Sequence, residues 1–206
     1  MAKKIILTVF KSIRYYPFDV TEDIINNFKK NNIPEKEIIT LILPCEYLGA
    51  FEILSKIIDE EKPDAIISIG LYKNAEGVEI ETFFRNFMKG EFPDASGYSP
   101  NGTKINLEKN SQEFLAPQVN TYFLANKLYQ ENIPVKPSTD PNSFVSNSLG
   151  YRTTKKILDE HLPIRNMFIH IPYTDRHKNE VGDSSKFLFK EDTLYRAIEL
   201  MLLNIC

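Results

Sequence analysis

Short apolar runs rich in Ile and Val recur along the chain: "KKIILTVF" at 3–10, "KEIITLILP" at 36–44, "DAIISIG" at 64–70, "FVSNS" at 144–148 and "NMFIHIP" at 166–172. They do not alternate cleanly between apolar and polar. Runs that are apolar on both faces suit strands buried within a parallel sheet. The segments between them have helical spacing. "TEDIINNFKKN" opens with Thr21 as an N-cap and puts Ile24, Ile25 and Phe28 on one face. "AFEILSKIIDEEKP" runs until Pro63 stops it, and "VNTYFLANKLYQEN" and "DTLYRAIELMLLN" show the same period. Strand and helix alternate. The pattern predicts one α/β domain over 1–206, with a central, mostly parallel sheet and helices on both faces.

Two stretches break this rhythm. "GVEIETFFRNF" at 77–87 reads as a strand outside the main alternation. "FPDASGYSPNGTKINLEKNSQ" at 92–112, punctuated by Pro93, Gly97, Pro100 and Gly102, reads as a long loop or an extra hairpin. "KPSTDPNSF" at 136–144 is polar and rich in Pro and Ser, and is expected to be a surface insertion ahead of the "FVSNS" strand.

Composition narrows the function classes. The net charge is −3, and the basic residues are scattered in pairs such as Lys29-Lys30 and Lys155-Lys156. Neither feature gives the electrostatic footprint of a nucleic-acid or anionic-membrane partner. Cys45 and Cys206 are the two cysteines. They make no disulfide framework and fit a reducing compartment, so a cytoplasmic protein is expected. The apolar run near the N-terminus is too short for a signal peptide, and no stretch reaches the roughly 20 apolar residues of a membrane span. The three histidines and two cysteines are widely spaced. No metal site can be read from them, and no Gly-rich phosphate loop is present, so no cofactor or metal is expected.

In open α/β sheets ligands gather at the C-terminal ends of parallel strands. His170 ends the "MFIH" run, and there it is either a core histidine or a site residue. Cys45 follows "LILP" at another strand end, as a small buried hydrophobe or a thiol. Glu76, Glu79 and Glu81 lie close together, and composition does not choose among them. His161 follows "LDE" at a helix end, where the dipole accounts for it. His177 sits in a polar loop without an assigned role.

Taken in order, the motifs resemble pyroglutamyl peptidase I, a family of cysteine peptidases that remove an N-terminal pyroglutamate. "EEKPDAIISIGL" is similar to the family strand ending in S-V-G-L. The stretch "IGLYKNAEGVEIETFFRNFMKGEFPDASGYSP" is similar to the segment carrying the triad glutamate and P-D-x-x-G-Y. "ENIP" resembles A-G-I-P, "VSNSLG" resembles V-S-N-S-A-G, and "FIHIPY" resembles F-I-H-V-P-Y. The resemblance implies that Glu81 and His170 are triad members. It places the nucleophile four residues after the glycine of S-N-S-A-G, on the first turn of a helix. Counted from Gly150 that position is Thr154, where the family has cysteine.

The same resemblance assigns substrate-pocket positions to Phe10, Ile13, Cys45, Glu91 and Phe92. Ile13 stands where the family has a second phenylalanine, and Val9, Arg14 and Tyr15 replace glycines of its N-terminal loop. Glu91 replaces an active-site arginine. These departures imply a homologue that binds a small molecule or a peptide N-terminus but is inactive or diverged. The alternative is a working hydrolase using Cys45 or Thr154 with His170 and Glu81. The resemblance also leaves a homo-oligomer open.

Overall fold

The computed structural model describes residues 2–13, 20–30, 33–181 and 187–206. Its centre is a six-stranded sheet in the order β2-β1-β3-β8-β4-β7. The strands are β1 (Lys3–Phe10), β2 (Lys36–Leu43), β3 (Ala65–Leu71), β4 (Val78–Glu81), β7 (Val135–Ser138) and β8 (Arg165–Ile171). A two-residue pair, β5 (Phe84–Arg85) and β6 (Phe114–Leu115), forms a separate antiparallel ribbon. In the main sheet β2, β1, β3 and β8 run parallel. β4 is antiparallel to β8 and parallel to β7. The fold is therefore a single-domain, mostly parallel α/β sheet, as the alternation predicts.

Side-chain parity divides the core in two. Ile5, Leu7, Val9, Ile67, Ile69 and Ile169 face one side, beneath α1 (Val20–Lys30), α3 (Thr121–Gln130) and α6 (Glu191–Asn204). Ile6, Ile66 and Phe168 face the other, beneath α2 (Gly49–Glu61) and α4 (Val145–Asp159). A short 3-10 turn (Asp175–His177) and α5 (Lys178–Val181) follow β8. Both faces are buried, which explains why the strand runs lack alternation. Among the described residues no helix is long and apolar enough to cross a membrane.

The structure corrects four readings of the pattern. "FVSNS" is the start of α4 and not a strand. Its polar residues are buried because each finds a partner inside. Ser148 donates to Tyr47 O at 2.9 Å, and Asn147 bonds the backbone of β5. The 136–144 segment is not an insertion, since its first three residues belong to β7, the sheet's edge strand. Pro137 is tolerated there because an edge strand has one unpaired side. The "GVEIE" strand belongs to the main sheet, running against β8. Finally, α1 begins at Val20, so Thr21 lies inside it and its hydroxyl donates to Phe10 O at 2.9 Å. The buried face of Ile24, Ile25 and Phe28 is as read.

Candidate active site

His170 is the sixth residue of β8 and is almost fully buried. In the antiparallel register Glu79 lies opposite His170, so Glu81 is a diagonal neighbour on the same face. Glu81 Oε1 lies 2.7 Å from His170 Nδ1, and Glu81 is 2% exposed. The second carboxylate oxygen, Oε2, is buried and has no hydrogen-bond partner among the described residues. The carboxylate is thus committed to the imidazole. An acceptor at Nδ1 fixes the neutral tautomer with its proton on that nitrogen, which leaves the Nε2 lone pair available. Gly70 on β3 makes room for this arrangement. A Cβ there would press on His170 Cδ2 and the Phe168 ring, each 3.0 Å away.

Glu81 and His170 line a cleft of about 780 Å³ that also takes in Phe10, Ile13, Cys45, Arg85, Glu91, Phe92 and Ser146. Thr154 is not part of it. Thr154 is the tenth residue of α4, fully buried, and accepts a hydrogen bond from Asn166 Nδ2 at 2.8 Å. Asn166 and His170 are four strand residues apart, about 13 Å. The placement of Thr154 on the first helical turn beside His170 is therefore overturned.

The residue that meets that description is Ser146, second in α4 and 8% exposed. Eight helical residues, about 12 Å, separate it from Thr154, so α4 presents Ser146 at the His170 end of β8 and Thr154 at the Asn166 end. Four residues before Ser146 stands Asn142, with φ 56. This left-handed conformation is the one a glycine supplies most easily. The glycine-to-nucleophile spacing is therefore satisfied by Asn142 and Ser146, directly after β7, and not by Gly150 and Thr154. Gly150 has another reason to be glycine: a Cβ there would collide with the buried ring of Phe84 on β5.

The start of α4 is open. Its cap residue, Phe144, makes no side-chain cap hydrogen bond. First-turn N–H groups have no intrahelical partner, and with the helix dipole they favour negative charge at this spot. Ser146 Oγ is hydrogen-bonded to Asn142 rather than to His170.

The remaining wall is mixed. Phe10 packs against Phe168, and Phe92 against Phe144 at 4.9 Å between ring centres. Burial, helped by the nearby Asp94 and Glu46 carboxylates, pushes the Cys45 thiol up to about 12. A thiol so protonated at neutral pH is a poor nucleophile, so Cys45 serves as a small piece of wall. Asp94 explains the "PDASGY" motif. It accepts from the N–H groups of Tyr47, Ser96 and Tyr98 and so ties that loop to the Cys45 segment. Lys136 Nζ lies 3.0 Å from Glu79 Oε1, an ion pair at the cleft rim.

Sequence reasoning missed Arg85. Among the described residues its Nε is buried without a partner, and its one ion pair is a long 3.5 Å contact to Asp140. A cation stands in the cleft although Glu91 occupies the position assigned to the family's arginine. Of the drifted loop residues, Arg14 and Tyr15 lie outside the described residues, and Ile13 lines the cleft.

A buried carboxylate–imidazole pair that shares its cleft with a hydroxyl on an open helix N-terminus has the parts of an acyl-transfer site. Comparison with known proteins agrees in fold and family. A pyrrolidone-carboxylate peptidase of Oceanobacillus iheyensis is 29% identical over 97% of this chain and 98% of its own. The crystal structure of pyroglutamyl peptidase I from Bacillus amyloliquefaciens superposes with a TM-score of 0.90 at 22% identity, covering 100% of this chain and 95% of that one. The pyrrolidone carboxyl peptidase of Thermococcus litoralis gives 0.88 at 23%, covering 98% and 92%. The pyroglutamyl peptidase family model matches residues 3–194, and the chain belongs to that family.

Proposed function

We propose that the cleft binds the N-terminal residue of a peptide whose amine is closed into a lactam, and that Ser146 attacks the carbonyl of that residue. The observation that carries this reading is Ser146 on the first turn of α4, in the same cleft as the Glu81–His170 pair. His170 Nε2 takes the hydroxyl proton as Oγ bonds to the carbonyl carbon. Negative charge on the carbonyl oxygen then faces the free N–H groups of the first turn. The imidazolium returns the proton to the leaving amine, and water releases the acyl group from Ser146 by the same route. A hydroxyl is a much weaker acid than a thiol, so this site leans harder on the Glu81–His170 base than a cysteine enzyme does. The two free cysteines fit a cytoplasmic setting.

A second reading is a cleft that holds the blocked end without turning it over. It is favoured by the Ser146 hydroxyl resting on Asn142, and by Ile13 and Glu91 at positions where the family has phenylalanine and arginine. Turnover of a pyroglutamyl fluorophore, together with labelling by a fluorophosphonate, separates the two. The proposal expects label on Ser146, and turnover that falls at least about 10³-fold in Ser146→Ala while Thr154→Val and Cys45→Ala retain it. Absence of both label and turnover, with the pyroglutamyl peptide still bound in calorimetry, supports the second reading.

A further inference from the structure

We propose that Asn142 is a positioning residue for Ser146, donating a hydrogen bond to its hydroxyl oxygen. This rests on the reading of Ser146 as nucleophile. The amide orientation is set by the backbone: Asn142 Oδ1 accepts from Phe144 N at 2.7 Å, so the other end must be the NH₂ group. That NH₂ lies 3.0 Å from Ser146 Oγ. The competing contact, Ser146 Oγ to Asn142 Oδ1, is longer at 3.3 Å and shares an oxygen already used by Phe144.

Ser146 therefore has one lone pair filled by a donor, and its own proton is free to turn toward the cleft. A hydrogen bond donated to an ionising oxygen favours its charged form, so the hydroxyl gives up its proton more easily. The loop is held in place to do this. Asn142 N donates to Asp140 Oδ1 at 3.1 Å, and the residue occupies φ 56, which asparagine, aspartate and glycine tolerate best. The rival explanation is a purely structural turn, in which the side chain does nothing beyond accepting from Phe144 N. Aspartate would serve that turn equally well.

The test uses Ser146→Cys in a Cys206→Ser background as a probe, because the new thiolate can then be titrated by ultraviolet absorbance and by iodoacetamide alkylation without any substrate. Asn142→Gly removes the donor, adds no charge and keeps the backbone conformation. Asn142→Asp keeps the turn and loses the donor. His170, Glu81, Arg85, Asp140, Lys89 and Glu91 line the same cleft and are unchanged throughout. Both Asn142 variants of this probe are expected to alkylate at least about threefold more slowly below the thiol's pKa. In the serine protein, Asn142→Asp is expected to lower kcat at least about tenfold with KM unchanged. An unchanged thiol titration in Asn142→Gly overturns the proposal, as does full kcat in Asn142→Asp. If the thiol responds but the serine protein never turns over, the positioning role stands and the hydrolase reading falls.

Discussion

Asn147→Ala removes a side chain that is 1% exposed and joins α4 to β5. Its Oδ1 accepts from Arg85 N at 2.8 Å, and its Nδ2 donates to Arg85 O at 3.0 Å and Phe87 O at 2.8 Å. The amide thus acts as a strand partner for a ribbon that is only two residues long on this side. Truncation leaves one backbone N–H and two carbonyls without it. An orphaned buried donor costs about 1–3 kcal/mol, and each lost carbonyl bond about 1 kcal/mol. The sum is about 3–5 kcal/mol, a large share of a typical 5–15 kcal/mol. For a chain of this size it corresponds to a fall in Tm of roughly 6–20 °C. Urea and thermal unfolding beside the exposed control Asn110→Ala, which should move by less than about 0.5 kcal/mol, measure it. A loss below about 1 kcal/mol would show that the tie between α4 and β5 is not what holds this end of the cleft.

Gly150→Ala gains about 1 kcal/mol in helix propensity but forces a methyl group into the buried Phe84 ring, which costs about 3 kcal/mol at the upper end of overpacking. Calorimetry should show a Tm lower by roughly 4–8 °C; an unchanged or higher Tm would mean the ring has room to move. Asp64 accepts from Lys3 Nζ at 2.7 Å and Lys4 N at 2.9 Å, and these hydrogen bonds hold its carboxyl below the ordinary carboxylate range. A depressed folded pKa contributes stability above the unfolded value of about 3.9 and loses it as pH falls through the folded value. Because the pair is exposed, Asp64→Asn should lower Tm by only about 1–2 °C at pH 7, and the deficit should close as pH falls through the depressed folded value. A deficit that persists at low pH would mean the carboxylate charge is not the cause. Native Cys45 should resist alkylation at pH 8 and react once the chain is unfolded in urea, while the half-buried Cys206 labels in the folded protein; ready labelling mapped to Cys45 in the folded protein would refute its burial.

The sheet was legible because strands buried on both faces must be apolar throughout, and "IILTVF", "AIISIG" and "MFIHI" can be little else. Glu81 and His170 were placed together by motif order, and the register of β4 against β8 shows why two residues so far apart in sequence meet. The start of α4 was not legible from letters alone. "VSNSLG" matched a strand-end motif, but in this chain the left-handed residue is Asn142, and the glycine at 150 exists for Phe84. Asparagine hides this because it is less diagnostic of positive φ than glycine.

A signal was present nonetheless. Val145, Leu149, Thr153 and Ile157 recur every four residues, and all are buried. That stripe is helical from Val145 onward, which makes Ser146 a first-turn residue and puts Thr154 two turns inside the core. Periodicity would have overruled the letter match, because a helix face must bury its stripe whichever motif its residues happen to spell. The consequence for chemistry is direct. With Thr154 the chain lacks a hydroxyl near its base. With Ser146 it keeps a hydroxyl, a carboxylate–imidazole pair and an open helix end in one cleft.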